Sequence, residues 1–414
     1  MSNKEPSKYR LPFILVTSLF FLWALAHNLN PILIPLLKKA CHLTDFQSAL
    51  IDSSFFIAYF IMAIPACLVM KRFGYKQGII LGLLLFASGA FLFYPAANTL
   101  SFPFFLFALF VIASGLTFLE TAANPYVTIL GDAATATQRL NFAQSFNGLG
   151  AFIAPAIGGM FILSENDISE TQLQTFTTDQ LYAYNLHEAA TVKLPYIVIG
   201  IIVLTVAFLF SRIHLPDIKD SDEKSNGWKG LTKHRQLIWG VVAQFFYVGA
   251  QVGVGSFFIR FLGQAAGIDA KSAAFYLSTA LILFMSGRFI GTLIMQVIAP
   301  NKLLALYAFI NIVLLIFAIN MHGMPAVYAL MLVQFFMSIM FPTIFSLSIS
   351  GTGNDAKLGS SLVIMAIVGG AIMPLLMGKI SDSTHSIQIA YVIPLLCFVV
   401  VCLFGMKASQ ILKA

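Results

Sequence analysis

The chain has 414 residues, of which 59% are hydrophobic and only 10% are charged, and its net charge is +7. Soluble domains carry about 25% charged residues. The composition therefore excludes a soluble enzyme, with or without an anchor, and points to an all-α polytopic membrane protein. No basic patch is interleaved with exposed aromatics, so the positive balance is no sign of nucleic-acid binding.

A bilayer-spanning helix needs roughly 20 apolar residues, and windows of that length yield twelve segments. The first, 11–36, is too long for the apolar core of a signal peptide. It carries Trp23, His27, Asn28 and Asn30; Trp23, His27 and Asn28 are candidates to line a polar cavity. The second and third, 46–70 and 77–98, flank the loop Lys71-Arg72-Phe73-Gly74-Tyr75-Lys76. This basic stretch with a tight turn reads either as a conformational latch or as a topology signal.

The fourth segment, 102–125, places Thr117, Glu120, Thr121 and Asn124 at i, i+3, i+4 and i+7, on one helix face. An ionisable residue at membrane depth marks a substrate or ion pathway by default. Glu120 is read as a carboxylate that takes up a proton or binds sugar hydroxyls, the proton coupling uptake to a conformational change. The alternative is a structural pair with a membrane arginine, Arg260 or Arg288. In the fifth segment, 139–163, Asn141, Gln144 and Asn147 form one amide stripe. Amides donate and accept at once, which suits a polyol, although hydrogen bonding between helices uses the same residues. Gln144 and Asn147 are taken as substrate contacts.

The acidic stretch 164–193 leads to the sixth segment, 194–212, and reads as a solvated loop or a cap on the outer mouth. The polar, charged stretch 213–236 then separates six segments from six. The expected organisation is a bundle over 1–212, a linker over 213–236 and a second bundle over 237–414. The seventh segment, 237–262, repeats the polar stripe with Gln244, Tyr247 and Gln251, amides beside an aromatic surface for a sugar's C–H face. The eighth and ninth are 271–296 and 302–321. The tenth, 325–349, adds Gln334 and Ser338 near Phe341. The eleventh, 358–380, carries Gly369-x4-Pro374-x3-Gly378, which matches Gly150-x4-Pro155-x3-Gly159 of the fifth at an offset of 219 residues. That match suggests parallel repeats with a substrate site near the midplane. The twelfth is 386–406.

With the N-terminus inside, seventeen Lys and Arg fall in inner segments against five in outer ones. The bias predicts both termini in the cytoplasm. Cys41, Cys67, Cys397 and Cys402 have neither metal nor disulfide spacing, and no cofactor is expected.

Several motifs resemble the L-fucose:proton symporter family of the major facilitator superfamily. They are Phe20-Phe-Leu-Trp-Ala-Leu-Ala-His27-Asn28-Leu-Asn30, Leu119-Glu120-Thr-Ala-Ala-Asn124-Pro125, Ala143-Gln144-Ser-Phe-Asn147, Ala243-Gln244-Phe-Phe-Tyr247-Val-Gly-Ala-Gln251, Phe341-Pro-Thr-Ile-Phe-Ser346 and Gly359-Ser-Ser361. The similarity runs from about Pro12 to Gly405. The resemblance implies a major facilitator fold of twelve helices in two bundles. It also implies an inner-membrane monomer importing fucose, galactose, glucose or N-acetylglucosamine with a proton. It gives Glu120 a part in coupling and sugar binding, and gives Gln144 and Asn147 sugar contacts. The expected substrate set is Asn28, Glu120, Asn124, Gln144, Asn147, Gln244, Tyr247, Gln251 and Gln334.

Three positions depart from the family. Lys71 stands at the acidic position of the major facilitator loop signature. Pro31 stands where the fucose transporters have an aspartate, while Asp52 is extra. At 1.5 Å per residue both Pro31 and Asp52 lie roughly 8–9 Å below the outer boundary. Asp52 is therefore either a replacement carboxylate for coupling or a hydrated residue at the interface. The alternatives kept open are sodium coupling, uncoupled uniport and a sugar sensor without flux. A membrane enzyme would need a metal cluster or a nucleophile–base set, and the scattered histidines supply neither.

Overall fold

The computed structural model describes residues 6–29, 45–161, 176–213 and 234–411, with single positions between 33 and 43. Every element among them is helical, and the described part of each of the twelve apolar segments lies mainly in helix. α1 (Pro6–His27) begins the first segment; the rest of it, with Asn30 and Pro31, lies outside the described residues. α2 (Asp45–Thr99) takes in the second and third, interrupted at Gly74, where φ is 84° and ψ is 171°. An L side chain is strained at such a φ, so the tight turn expected in the basic loop rests on this glycine. α3 (Phe102–Ile129) and α4 (Ala136–Phe161) are the fourth and fifth segments. α5 (Thr178–Ala190) leads into α6 (Lys193–Arg212), the sixth. The N-terminus of α5 is a reciprocal box in which Thr177 and Gln180 each bond the other's backbone N–H.

α7 (Arg235–Ala266), α8 (Ala270–Ile294) and α9 (Pro300–Asn320) follow. α7 ends at Gly267 in the left-handed conformation, φ 67°, and Asp269 caps α8 by accepting from the Ser272 N–H. The tenth segment divides into α10 (Met324–Met337) and α11 (Met340–Ile349). The eleventh divides into α12 (Ala356–Met365) and α13 (Gly369–Thr384) across a 3₁₀ turn. The twelfth comprises α14 (Ile387–Ala390) and α15 (Val392–Ile411).

Surface and interior follow the bilayer. On α9, Leu306, Phe309, Val313, Ile316 and Phe317 are exposed along one face, while Leu303, Leu304, Tyr307, Asn311 and Leu315 are buried along the other. α3 is the reverse case: Leu116 through Val127 are all buried, so this helix runs through packed protein.

The described residues group into two compact units. One comprises Met1–Thr17, Ala123–Gly148 and Ile218–Ala414; the other comprises Ser18–Ala122 and Leu149–Asp217. In the second unit a Cβ on Gly150 would stand 2.6 Å from the Phe21 carbonyl oxygen. In the first unit a Cβ on Gly369 would overlap the Phe245 carbonyl oxygen. The two glycines of the matched sequence pattern thus sit at equivalent backbone crossings, fifth segment on first and eleventh on seventh. In a membrane, such close packing replaces the hydrophobic effect as the force between helices.

The basic turn is anchored as well as charged. Lys76 Nζ donates to the Ser211 carbonyl at 3.0 Å and to the Ile213 carbonyl at 2.8 Å, at the C-terminus of α6. A cation there meets unsatisfied carbonyls and the negative end of the helix dipole.

Candidate functional site

On α3 the predicted polar stripe is buried throughout: Thr117, Glu120, Thr121 and Asn124 are each at most 8% exposed. The two threonine hydroxyls bond back to their own helix, Thr117 to the Ala113 carbonyl and Thr121 to the Thr117 carbonyl. The groups left for chemistry on this stripe are therefore the Glu120 carboxylate and the Asn124 amide.

Glu120 Oε1 accepts a hydrogen bond from Tyr59 Oη at 2.7 Å. Tyr59 comes from α2 and is itself buried. The carboxylate's neighbour in its unit is a neutral hydroxyl, not the arginine that a structural ion pair would require. Sequence reasoning did not single out Tyr59, because a tyrosine within an apolar segment carries no pattern of its own. The same unit holds Asn28, half-buried, whose Nδ2 donates to the Ala24 carbonyl at 2.7 Å. It also holds His27, which is exposed and lies edge-on to Phe55. Asp52 lies on α2, but its side chain is outside the described residues.

In the other unit the amides gather around Arg288 of α8. Its Nε donates to the Ser338 carbonyl at 2.8 Å. Its Nη1 faces three oxygens: the Gln144 carbonyl, Gln144 Oε1 at 3.4 Å and Asn147 Oδ1 at 3.5 Å. The guanidinium carbon lies 4.7 Å from the Phe284 ring centroid. Arg288 is 3% exposed, and no carboxylate among the described residues is within ion-pair distance of it. A planar fork of donors suits several oxygens at once. By taking up Gln144 Oε1, the arginine fixes which way that amide faces. Gln144 Nε2 in turn donates to Asn124 Oδ1 at 3.0 Å. The chain ends at Asn124 Nδ2, which is buried and has no partner.

Other buried polar atoms in this unit are also left open. Gln244 on α7 is wholly buried, and neither its amide oxygen nor its nitrogen is hydrogen-bonded. Ser338 Oγ, at the break between α10 and α11, is buried without a partner. Tyr247 is fully buried, and its hydroxyl donates to the Met337 carbonyl at 3.0 Å. Gln334 is buried and Gln251 half-buried. Asn141 Nδ2 donates to the Thr137 carbonyl and to Thr343 Oγ1 at 3.1 Å, and its Oδ1 is buried without a partner. Hydrogen bonds therefore join Gln144 to Asn124, and both Gln144 and Asn147 to Arg288, which was named from sequence only as a possible partner for Glu120. Its signal was available: a cation in an apolar segment needs a reason to be there. Among the described residues no cluster of His, Cys, Asp or Glu could hold a metal ion.

Comparison with known proteins places these residues in context. Residues 13–363 match the Major Facilitator Superfamily. The chain is 44% identical to the L-fucose-proton symporter of Escherichia coli strain K12, over 98% of this chain and 95% of that protein. It is 40% identical to the glucose/galactose transporter of Brucella abortus biovar 1 strain 9-941, over 99% of this chain and 96% of that protein. A crystal structure of a major facilitator superfamily transporter in the outward conformation superposes with a TM-score of 0.90 at 44% identity, covering 97% of this chain and all (100%) of that one. The proton:xylose symporter bound to 6-bromo-6-deoxy-D-glucose shares the fold, with a TM-score of 0.67 at 14% identity and 95% coverage of each chain.

Proposed function

This chain belongs to the Major Facilitator Superfamily and, within it, to the L-fucose:proton symporter family, and from that membership and its buried polar groups we propose that it imports a monosaccharide together with a proton. The observation that carries the reading is the set of open hydrogen-bonding atoms at Gln244, Asn124 Nδ2 and Ser338 Oγ. Each such group buried away from water costs about 1–3 kcal/mol. A ligand rich in hydroxyls, each both donor and acceptor, answers donors and acceptors together. The relatives named for fucose and for glucose or galactose support a hexose or deoxyhexose.

Asn124, Gln144 and Asn147 contact the sugar in this reading, with Gln244, Tyr247, Gln251, Gln334 and Asn28 contributing further contacts and Arg288 orienting the amides. Glu120 binds both sugar and proton, and Tyr59 holds the carboxylate in place. Asp52 is the second coupling carboxylate, replacing the acid absent at Pro31. Sugar and proton each bias an inward–outward equilibrium through their different affinities for its two states. The chain works as a monomer in the inner membrane, both termini cytoplasmic. Its bundles are 1–212 and 237–414, joined by the linker 213–236.

The test is sugar-driven pH change in proteoliposomes across a panel of hexoses, with and without sodium. The expected result is alkalinisation outside on adding one sugar, with Glu120→Gln keeping counterflow of labelled sugar but losing the pH change. Sodium-stimulated uptake with no pH change would overturn proton coupling, and binding without counterflow would overturn transport itself.

A further inference from the structure

A second concentration of charge lies on α7 and α13, away from the amide cluster. The two helices border a cleft of about 780 Å³ whose lining includes Arg260, Lys379, Asp382 and Ser383 together with Phe257 and Leu375. Arg260, Lys379, Asp382 and Ser383 are all exposed. Among the described residues, Arg260, Lys379 and Asp382 form no ion pair. Arg260 packs its guanidinium 4.7 Å from the centre of the Phe257 ring, which leaves its N–H edge for a ligand. The end of the cleft is fixed by Gln264 of α7, whose Nε2 donates to the His385 carbonyl at 3.0 Å and whose Oε1 accepts from the Ile387 N–H.

The exposed face of α13 changes character along its length. Ile372, Leu375 and Leu376 are 42%, 73% and 42% exposed, and Lys379, Asp382 and Ser383 continue the same face. Large apolar side chains left uncovered on a membrane helix offer a surface to acyl chains. Lys379 is five residues from the end of the helix, roughly 7.5 Å at 1.5 Å per residue, so the charges stand at headgroup depth. An isolated lysine or arginine there would simply extend its head to the interface. Here two cations and a carboxylate converge on one cleft with no ion pair among them.

We propose that this cleft seats a phospholipid headgroup of the phosphatidylethanolamine class. The phosphodiester lies between Arg260 and Lys379, the primary ammonium meets Asp382, and an acyl chain follows Leu375, Leu376 and Ile372. The charge complement selects this occupant. A headgroup bearing only the phosphate would leave Asp382 beside an anion, and a quaternary ammonium would offer it no N–H. Guanidinium and ammonium groups are suited to phosphate.

The experiment is native mass spectrometry of the full chain exchanged into equal mixtures of phosphatidylethanolamine, phosphatidylglycerol and phosphatidylcholine, which reads lipid retention without reference to transport. The expected result is preferential retention of phosphatidylethanolamine. Arg260→Gln with Lys379→Gln should lower it roughly tenfold, taking two exposed ion pairs at the middle of their usual worth. Asp382→Asn should move the preference toward phosphatidylglycerol. All three side chains are exposed, so the variants should melt with the parent, and melting curves check this. Equal retention of the three lipids, retention unchanged in the double variant, or equally effective displacement by soluble phosphoethanolamine would each overturn the assignment.

Discussion

Gln244, like Asn311, is wholly buried with both amide atoms unpaired, and it lies on the helix face that the sugar reading uses. Leucine has nearly its shape and removes two buried polar atoms that have no partner. If the side chain had no ligand, Gln244→Leu would be neutral or stabilising, since each unmade hydrogen bond costs about 1–3 kcal/mol. The expected outcome is a sugar-free melting temperature at or above that of the parent, together with loss of the stabilisation that sugar confers. Melting curves with and without sugar check both, and sugar stabilisation that survives the change would remove Gln244 from the site. Arg288 makes the complementary case. Arg288→Lys keeps the charge but not the fork that reaches Ser338, Gln144 and Asn147. Losing one hydrogen bond to a charged group, at about 1.5–3 kcal/mol, should raise the sugar KM roughly tenfold or more, with a smaller effect on kcat. Glu120, Asn124, Gln144 and Asn147 were legible in the sequence because polar side chains at helical spacing stand out against an apolar background. Tyr59 was not, and Arg288 was visible only as a charge, since hydrogen-bond partners belong to tertiary contact and not to spacing.

Single helices carry the next level of meaning. The Gly-x4-Pro-x3-Gly pattern of the fifth and eleventh segments was read as permitting close packing, and the Gly150 and Gly369 crossings agree with that reading. Gly378 belongs to the same pattern but has only Phe257 Cζ nearby, at 3.8 Å, an ordinary contact. Gly369→Ala forces backbone against backbone and should cost about 1–3 kcal/mol or more by overpacking, whereas Gly378→Ala should be mild. Thermal unfolding in detergent distinguishes them, and equal stability of the two variants would show that the eleventh segment gives way at the crossing. The boundaries of the helices came from hydropathy and the Gly74 turn from its composition. The breaks at Ser338–Ile339 and Ala366–Val368 were not read from the sequence. Both have a local cause: Pro342 has no N–H for the Ser338 carbonyl, which accepts from Arg288 Nε instead, and Gly369-Gly370 follows Ala366–Val368.

For the molecule as a whole, the sequence determined the class because the bilayer imposes one requirement on every residue: backbone polar groups must be satisfied within the chain. A run of apolar residues must then be helical, and twelve runs could be counted without knowing any contact. Orientation rests on a different argument, the excess of seventeen inner over five outer Lys and Arg, which acts during insertion and leaves no trace in helix packing. It therefore needs a test of its own. Arg72, in the turn between the second and third segments, and Asp179, in the first turn of α5, are both exposed, and the charge bias assigns them to opposite sides. With Cys41, Cys67, Cys397 and Cys402 replaced, a cysteine at position 179 should react with an impermeant maleimide in intact cells. A cysteine at position 72 should react only after permeabilisation. The reverse pattern would invert the chain in the membrane and place the linker 213–236 outside, while the inward proton gradient would still drive sugar inward, since a symporter moves both in one direction.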